Sequence, residues 1–452
     1  MSFGEKILDY KEDILKDLAT LIEIESVSSV GSEAPQKALD FVLSRATEMG
    51  LNTKNILDIA GHAEYGSGDK YCGVLSHLDV VPAGDGWDYE PFKLTEKDGR
   101  LFGRGVVDDK GSAIVALYCL KALKDNNVTG KNALRVIFGT TEEVGMEDMR
   151  LYFANEPLPY LGFTPDADYG ICKCEKGILQ IEILAENNNA TTLTEFKSGN
   201  AVNAVPDSAY ALLDCSEYDD HQLSRLADAK KGDFTFKYTI DGMMIISKGR
   251  ASHACTPEKG FNSATHLIDL LTSNFAHSVL GNLISFIDSR ISTEVNGNSL
   301  GLKMRDSASG PLTLNVGTIN IDENHARATL DIRYPVTMDG SVILGRIRNL
   351  AQLEGLNVKI LSHSKPLVLP ENSPLLPLLN SSYKSVMGED APTYSTGGGT
   401  YARTLQNRGV AFGPTFDDDI TNIHDANESI DKENFFKHAQ ICLEAMHQML
   451  NV

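Results

Sequence analysis

The stretch Tyr71–Val81, "YCGVLSHLDVV", constrains the fold more than any other in the chain. Cys72, Val74, Leu75, Leu78, Val80 and Val81 make an apolar run that suits a strand buried on both faces, as in a parallel sheet. His77 and Asp79 interrupt it two residues apart, so on a strand they project to the same side. Pro82, Gly84 and Gly86 then supply turn chemistry that ends the strand. Taken alone, the pair has two readings: a hydrogen-bonded polar pair in a core, or a metal-binding imidazole oriented by a carboxylate.

The following hundred residues alternate strand and helix patterns. "GSAIVALYCLKALKDN" reads as a helix, "ALRVIFGTTEE" as a strand, and "GICKCEKGILQIEILAE" opens another. This is an α/β layout with a mainly parallel sheet covered by helices. Ligands of such sheets gather beyond the carboxyl ends of the strands. The middle of the chain differs: "DFTFKYTIDGMMIISKGR" alternates around a hairpin turn, and "LTLNVGTINIDENHARATLDIRY" is a second antiparallel pair. Helices are expected at "NSATHLIDLLTSNF" and "SVILGRIRNLAQLEG". The expected organisation is a first domain over 1–177, an α+β domain inserted over 178–368, and the rest of the first domain over 369–452.

The chain has 452 residues, 42% hydrophobic and 23% charged, as in a soluble globular protein of more than one domain. No apolar run approaches the ~20 residues of a membrane-spanning helix. The N-terminal segment carries acids throughout; Ile7, Ile14, Leu18, Leu21 and Ile22 form one helical stripe rather than a secretory leader. Seven scattered cysteines form no disulfide framework, which fits a reducing, cytoplasmic setting, and Cys172 and Cys174 read as strand residues. A formal net charge of −21 argues against nucleic-acid and anionic-membrane partners.

Four more places put ligand-type side chains at strand ends or in loops. "GRGVVDDKG" carries Asp108 and Asp109 before a helix, where acids also serve the helix dipole. "TTEEVG" carries Glu142 and Glu143, which repel unless a cation or proton relieves them. "GFTPDAD" carries Asp166 and Asp168, and "NIHDANE" carries His424, Asp425 and Glu428. Two divalent cations bridged by one carboxylate need about this many oxygens and imidazoles.

The ordered set "SHLDVVPAGDGW", "GRGVVDDKG", "TTEEVG", "GFTPDAD" and "NIHDANE" resembles the metallo-aminopeptidase superfamily of aminoacylases, glutamate carboxypeptidases and dipeptidases. Within it the chain is most similar to bacterial PepV-type dipeptidases. The resemblance implies a metallopeptidase catalytic domain with an inserted lid domain. It implies that His77 and Asp166 hold one metal and Glu143 and His424 the other, with Asp108 bridging through a cis peptide to Asp109. Asp79 would orient His77, and Glu142 would be the general base toward a metal-bridging water. In the middle domain His253 corresponds to the histidine aimed at the scissile carbonyl, and Asn203 and Arg333 to residues that bind the substrate. Gly398 and Thr400, in "STGGGTYAR", lie in a loop that lines the site in this branch; no phosphate-loop lysine follows the glycines. The lid would close on the substrate before chemistry.

The implied cofactors are two divalent metal ions, zinc foremost, with manganese and cobalt able to use the same ligands. The implied partner is a small peptide, a dipeptide. The long middle segment could cover the site within one chain, so a monomer is expected. Two other readings stand: an N-acyl amino acid deacylase on the same metal site, and a metal-dependent binding protein, against which the retained Glu142 argues.

Overall fold

A computed structural model describes residues 2–28, 33–186, 188–215 and 217–452, the side chains of 217–220 excepted. The chain divides into two compact units. One comprises Met1–Cys174, Leu367–Ser395 and Gly399–Val452; the other comprises Glu175–Pro366 and Thr396–Gly398.

The first unit is built on a mixed sheet whose strands run in the order Asn52–Ile56, Ala60–Tyr65, Ala133–Gly139, Tyr71–His77, Gly162–Thr164, Gly409–Ala411, Ile171–Glu175 and Leu367–Val368. Its centre is parallel: Tyr71–His77 pairs in parallel with Ala133–Gly139 and Gly162–Thr164, which pairs in parallel with Gly409–Ala411. The flanking pairs at Asn52–Ile56 and Ala60–Tyr65 are antiparallel. Every residue of Tyr71–His77 is buried, as its unbroken apolar run requires of a strand covered on both faces. The helix Lys110–Asp125 packs on that strand and on Ala133–Gly139, and against the C-terminal helix Lys432–Met449. The N-terminal stripe lies on a 3₁₀ segment, Phe3–Tyr10, and a helix, Lys11–Ile22; Ile7, Ile14, Leu18, Leu21 and Ile22 are all fully buried in the same core.

The second unit is α+β, with an all-antiparallel sheet. Its order is Asp233–Thr239, Gly242–Lys248, Ser208–Leu213, Leu193–Ser198, Thr313–Ile321, Ala326–Tyr334, Gly177–Ala185 and Leu356–Ser364. Gly177–Ala185 buries alternate residues, the mark of a sheet covered on one face. The expected hairpin is present, with Thr239 paired to Gly242 across Ile240 and Asp241. Asn262 caps the helix Ser263–Thr272 by accepting the N–H groups of Ala264 and Thr265. That helix joins Asn282–Arg290 and Gly340–Leu353 around the sheet's apolar face. No helix among the described residues is long and apolar enough to cross a membrane.

Candidate metal centre

The parallel strands deliver their carboxyl ends to one place. His77 is the last residue of its strand; Glu142 and Glu143 follow Ala133–Gly139, and Asp166 follows Gly162–Thr164. His77 Nε2 lies 2.8 Å from Asp108 Oδ1 and 4.0 Å from Asp166 Oδ2. His424 Nε2 lies 2.9 Å from Asp108 Oδ2 and 3.2 Å from Glu143 Oε1. Asp108 therefore stands between the two imidazoles, one carboxylate oxygen toward each. Ligand atoms of His77, Asp108 and Glu143 all lie within 4.8 Å of one another.

Asp108 and Asp109 are joined by a cis peptide. They precede the helix Lys110–Asp125, yet the Asp109 side chain does not cap it. Instead Asp109 Oδ2 accepts the backbone N–H of His77 at 3.2 Å. Asp79 is fully buried and divides its oxygens. Its backbone carbonyl is 2.9 Å from His77 Nδ1, and its carboxylate Oδ1 is 3.5 Å away. The carboxylate accepts the N–H groups of Glu142, at 3.1 Å, and Glu143, at 3.2 Å.

The charge balance fits cations. Burial pushes the carboxyls of Glu142, Glu143 and Asp166 above their usual range, and neighbouring carboxylates add to the rise. Burial likewise lifts Asp109 to about 8. Burial would raise Asp108 too, but hydrogen bonds from His424 and His77 hold it below the carboxylate range. Hydrogen bonds to Asp108 and Glu143 raise His424 to about 11. Burial opposes a charge on His77, but Asp108 and Asp79 carry it well above its ordinary value. His77 Nε2 and Glu143 Oε1 are buried and face Asp108 Oδ1 and His424 Nε2, the other members of the cluster. Crowded carboxylates facing two imidazole nitrogens are the donor set a divalent cation takes.

Several supports were not legible as such in the sequence. Asp148 is fully buried, accepts the N–H groups of Thr140 (2.6 Å) and Thr141 (2.7 Å), and takes the hydroxyl hydrogen of Tyr401. The Tyr401 ring meets His77 edge-on, with centroids 6.1 Å apart. Lys110, beside the two aspartates, donates to the carbonyls of Leu21 and Ile24 at the end of the helix Lys11–Ile22, and burial pushes it down to about 7. The one sequence signal for such groups is a charged residue set among glycines and apolar residues, as at Arg104 and Lys110.

Thr400 is buried and its hydroxyl caps the turn Tyr401–Leu405 by accepting the N–H of Ala402. Thr400 lies in the first unit, whereas Asn203, His253, Arg333 and Gly398 lie in the second. Asn203 is exposed, and its carbonyl accepts the N–H of Ala254, next to His253. His253 Nδ1 accepts the N–H of Cys255 at 3.1 Å. Arg333 is buried and held side-on by Asp331, through Nε at 2.5 Å and Nη2 at 2.9 Å, while Nη1 donates to the Gly397 carbonyl. The N–H of Gly398 donates to Thr396 Oγ1.

Residues 73–448 match the profile of Peptidase family M20/M25/M40. The chain belongs to that family. It is a metallopeptidase, and the family depends on metal. It is 33% identical over 469 residues to "Putative dipeptidase YtjP" of Bacillus subtilis (strain 168), covering 99% of this chain and all of that one. Among solved structures, its fold resembles the di-peptidase Dug1p of Saccharomyces cerevisiae, with a TM-score of 0.63 at 16% identity over 99% of this chain and 98% of that chain. It also resembles human carnosine dipeptidase 1, with a TM-score of 0.61 at 14% identity over the same shares. The mixed α/β fold of this chain, with its lid domain, is that of the M20 peptidases.

Proposed function

We propose that this M20 peptidase is a dinuclear dipeptidase acting on unblocked dipeptides. The observation that carries the reading is the position of Asp108, one oxygen toward His77 and the other toward His424, beside Glu142 and Glu143. His77 and Asp166 would hold one cation, Glu143 and His424 the other, and Asp108 both. Such cations, zinc foremost, would supply Lewis acidity, polarising a carbonyl and acidifying water.

The chain's own residues do the rest. Glu142, its backbone fixed by Asp79, takes the proton of the attacking water and passes it to the leaving amine. His253, in the lid, donates to the oxyanion as it forms. Arg333 would offer its remaining N–H groups to the substrate carboxylate, and Asn203, Gly398 and Thr400 would be the other substrate-binding residues. The dipeptidase names of the relatives support the substrate class.

The test is hydrolysis by chelator-stripped protein before and after zinc or manganese is restored. An unblocked dipeptide is compared with the same C-terminal residue bearing an N-acetyl or N-succinyl group. Metal-dependent cleavage of the free dipeptide alone is the expected result. Cleavage of only the acylated compound moves the protein to the deacylases, and cleavage of neither with metal bound refutes both.

A further inference from the structure

The three segments that carry Asp108, His424 and the His77 strand do not touch by their ligands alone. They meet at a buried pair, Arg104 and Glu428, 1% and 0% exposed at their side chains and separated by 324 positions in the chain. Glu428 Oε2 accepts Arg104 Nη1 at 2.7 Å and the N–H of Gly105 at 3.0 Å. Its Oε1 accepts the N–H groups of Val107, at 3.0 Å, and of Asp108 itself, at 3.2 Å. Its backbone carbonyl accepts the N–H of Gly103. One residue thus takes the amide hydrogens of most of the Gly103–Asp108 loop.

Arg104 completes the knot. Its Nη2 donates to the carbonyls of Pro82 and Ala83, which follow the His77 strand, and to that of Asp425, next to His424. The His424 side chain is about half exposed and its backbone has a φ of 66°, in the left-handed region. Its loop backbone is tied to the Asp108 loop by Arg104 and Glu428.

We propose that Glu428 is a positioning residue for cation binding: it sets the Asp108 peptide and, through Arg104, the distance from Asp108 to His424. This rests on the reading of Asp108 and His424 as metal ligands. Glutamine in its place would turn an NH₂ group toward backbone N–H donors, displacing the loop without changing the ligands themselves. Groups that orient metal ligands typically cost 10–100-fold in affinity when altered.

The experiment titrates metal-free wild type, Glu428→Gln, Glu428→Asp and Leu120→Ala with cobalt(II), following bound metal and the visible absorption of the cobalt protein. Leu120 is fully buried in the helix Lys110–Asp125 and serves as a variant that loses stability through packing alone. Glu428→Gln is expected to lose about 10–100-fold in affinity and to shift the cobalt bands. Leu120→Ala melts lower but stays within about twofold of wild-type affinity, with an unchanged spectrum. Glu428→Asp keeps the charge but draws the carboxylate back by one methylene. It is expected to fall in the same direction, so the test does not depend on Glu428→Gln folding. Wild-type affinity and spectrum in both Glu428 variants overturn the proposal, as does an equal loss in Leu120→Ala. Wild type that binds no cobalt refutes instead the ligand reading beneath it.

Discussion

Asp79 holds His77 with its backbone carbonyl, 2.9 Å from Nδ1, more closely than with its carboxylate, whose Oδ1 is 3.5 Å away. The carboxylate is thereby available to the Glu142 and Glu143 amides. Asp79→Asn keeps the carbonyl contact but sets an NH₂ group against one of those amides. Turnover should fall about 100-fold or more, with cation affinity falling less. Steady-state kinetics beside metal titration checks this; lost affinity with normal turnover per bound metal would place the effect at His77.

Glu142→Gln leaves the volume of the side chain and removes its basicity. Turnover is expected to drop about 10²–10⁴-fold with the bound metal content unchanged. Metal analysis of the purified variant alongside its rate separates loss of the base from loss of the site.

His253→Ala removes a donor in the lid. A fall in kcat of about 10²–10³-fold with unaltered cation affinity is the expected split. Unchanged kcat removes His253 from the reaction.

Tyr401→Phe takes one donor from the buried carboxylate of Asp148, which retains the amides of Thr140, Thr141 and Met149. The variant should lose about 1–3 kcal/mol of stability in urea titrations of metal-free protein. Unchanged stability would show that the remaining amides suffice.

His438 is fully buried against the Tyr169 hydroxyl, and burial lowers it to about 3; burial lowers His62 to about 4. Unfolded, both take up protons near pH 6.5. Their contribution to stability is complete above that pH and is lost as pH falls toward 4 and 3. Each steepens the decline by up to about 1.4 kcal/mol per pH unit. His438→Gln should flatten the stability profile between about pH 6.5 and 3, measured by denaturant titration; an unchanged slope would mean another group carries it.

Local pattern was enough to read the strand that carries His77, which stops at His77 and not at Val81 as its apolar run suggested, the helix after Asp109, the hairpin around Ile240 and Asp241, and the antiparallel pair ending at Tyr334. Each is decided by residues within a dozen positions, where side-chain period and turn chemistry act. The motif resemblance grouped His77, Asp108, Glu143, Asp166 and His424 as a set; the fold places His77, Glu143 and Asp166 at the carboxyl ends of neighbouring strands, with Asp108 and His424 on loops beside them.

What the chain's order could not display is how single residues divide their hydrogen bonds. That Asp79 serves His77 by its carbonyl and the glutamates by its carboxylate depends on the approach of a separate strand. That Tyr401 meets Asp148, and Glu428 the Asp108 loop, depends on partners hundreds of positions apart. Periodicity is a local property and determined the elements. Buried polar groups must find whichever partners the packed core leaves within reach, so only the tertiary structure decided how the ligands are held.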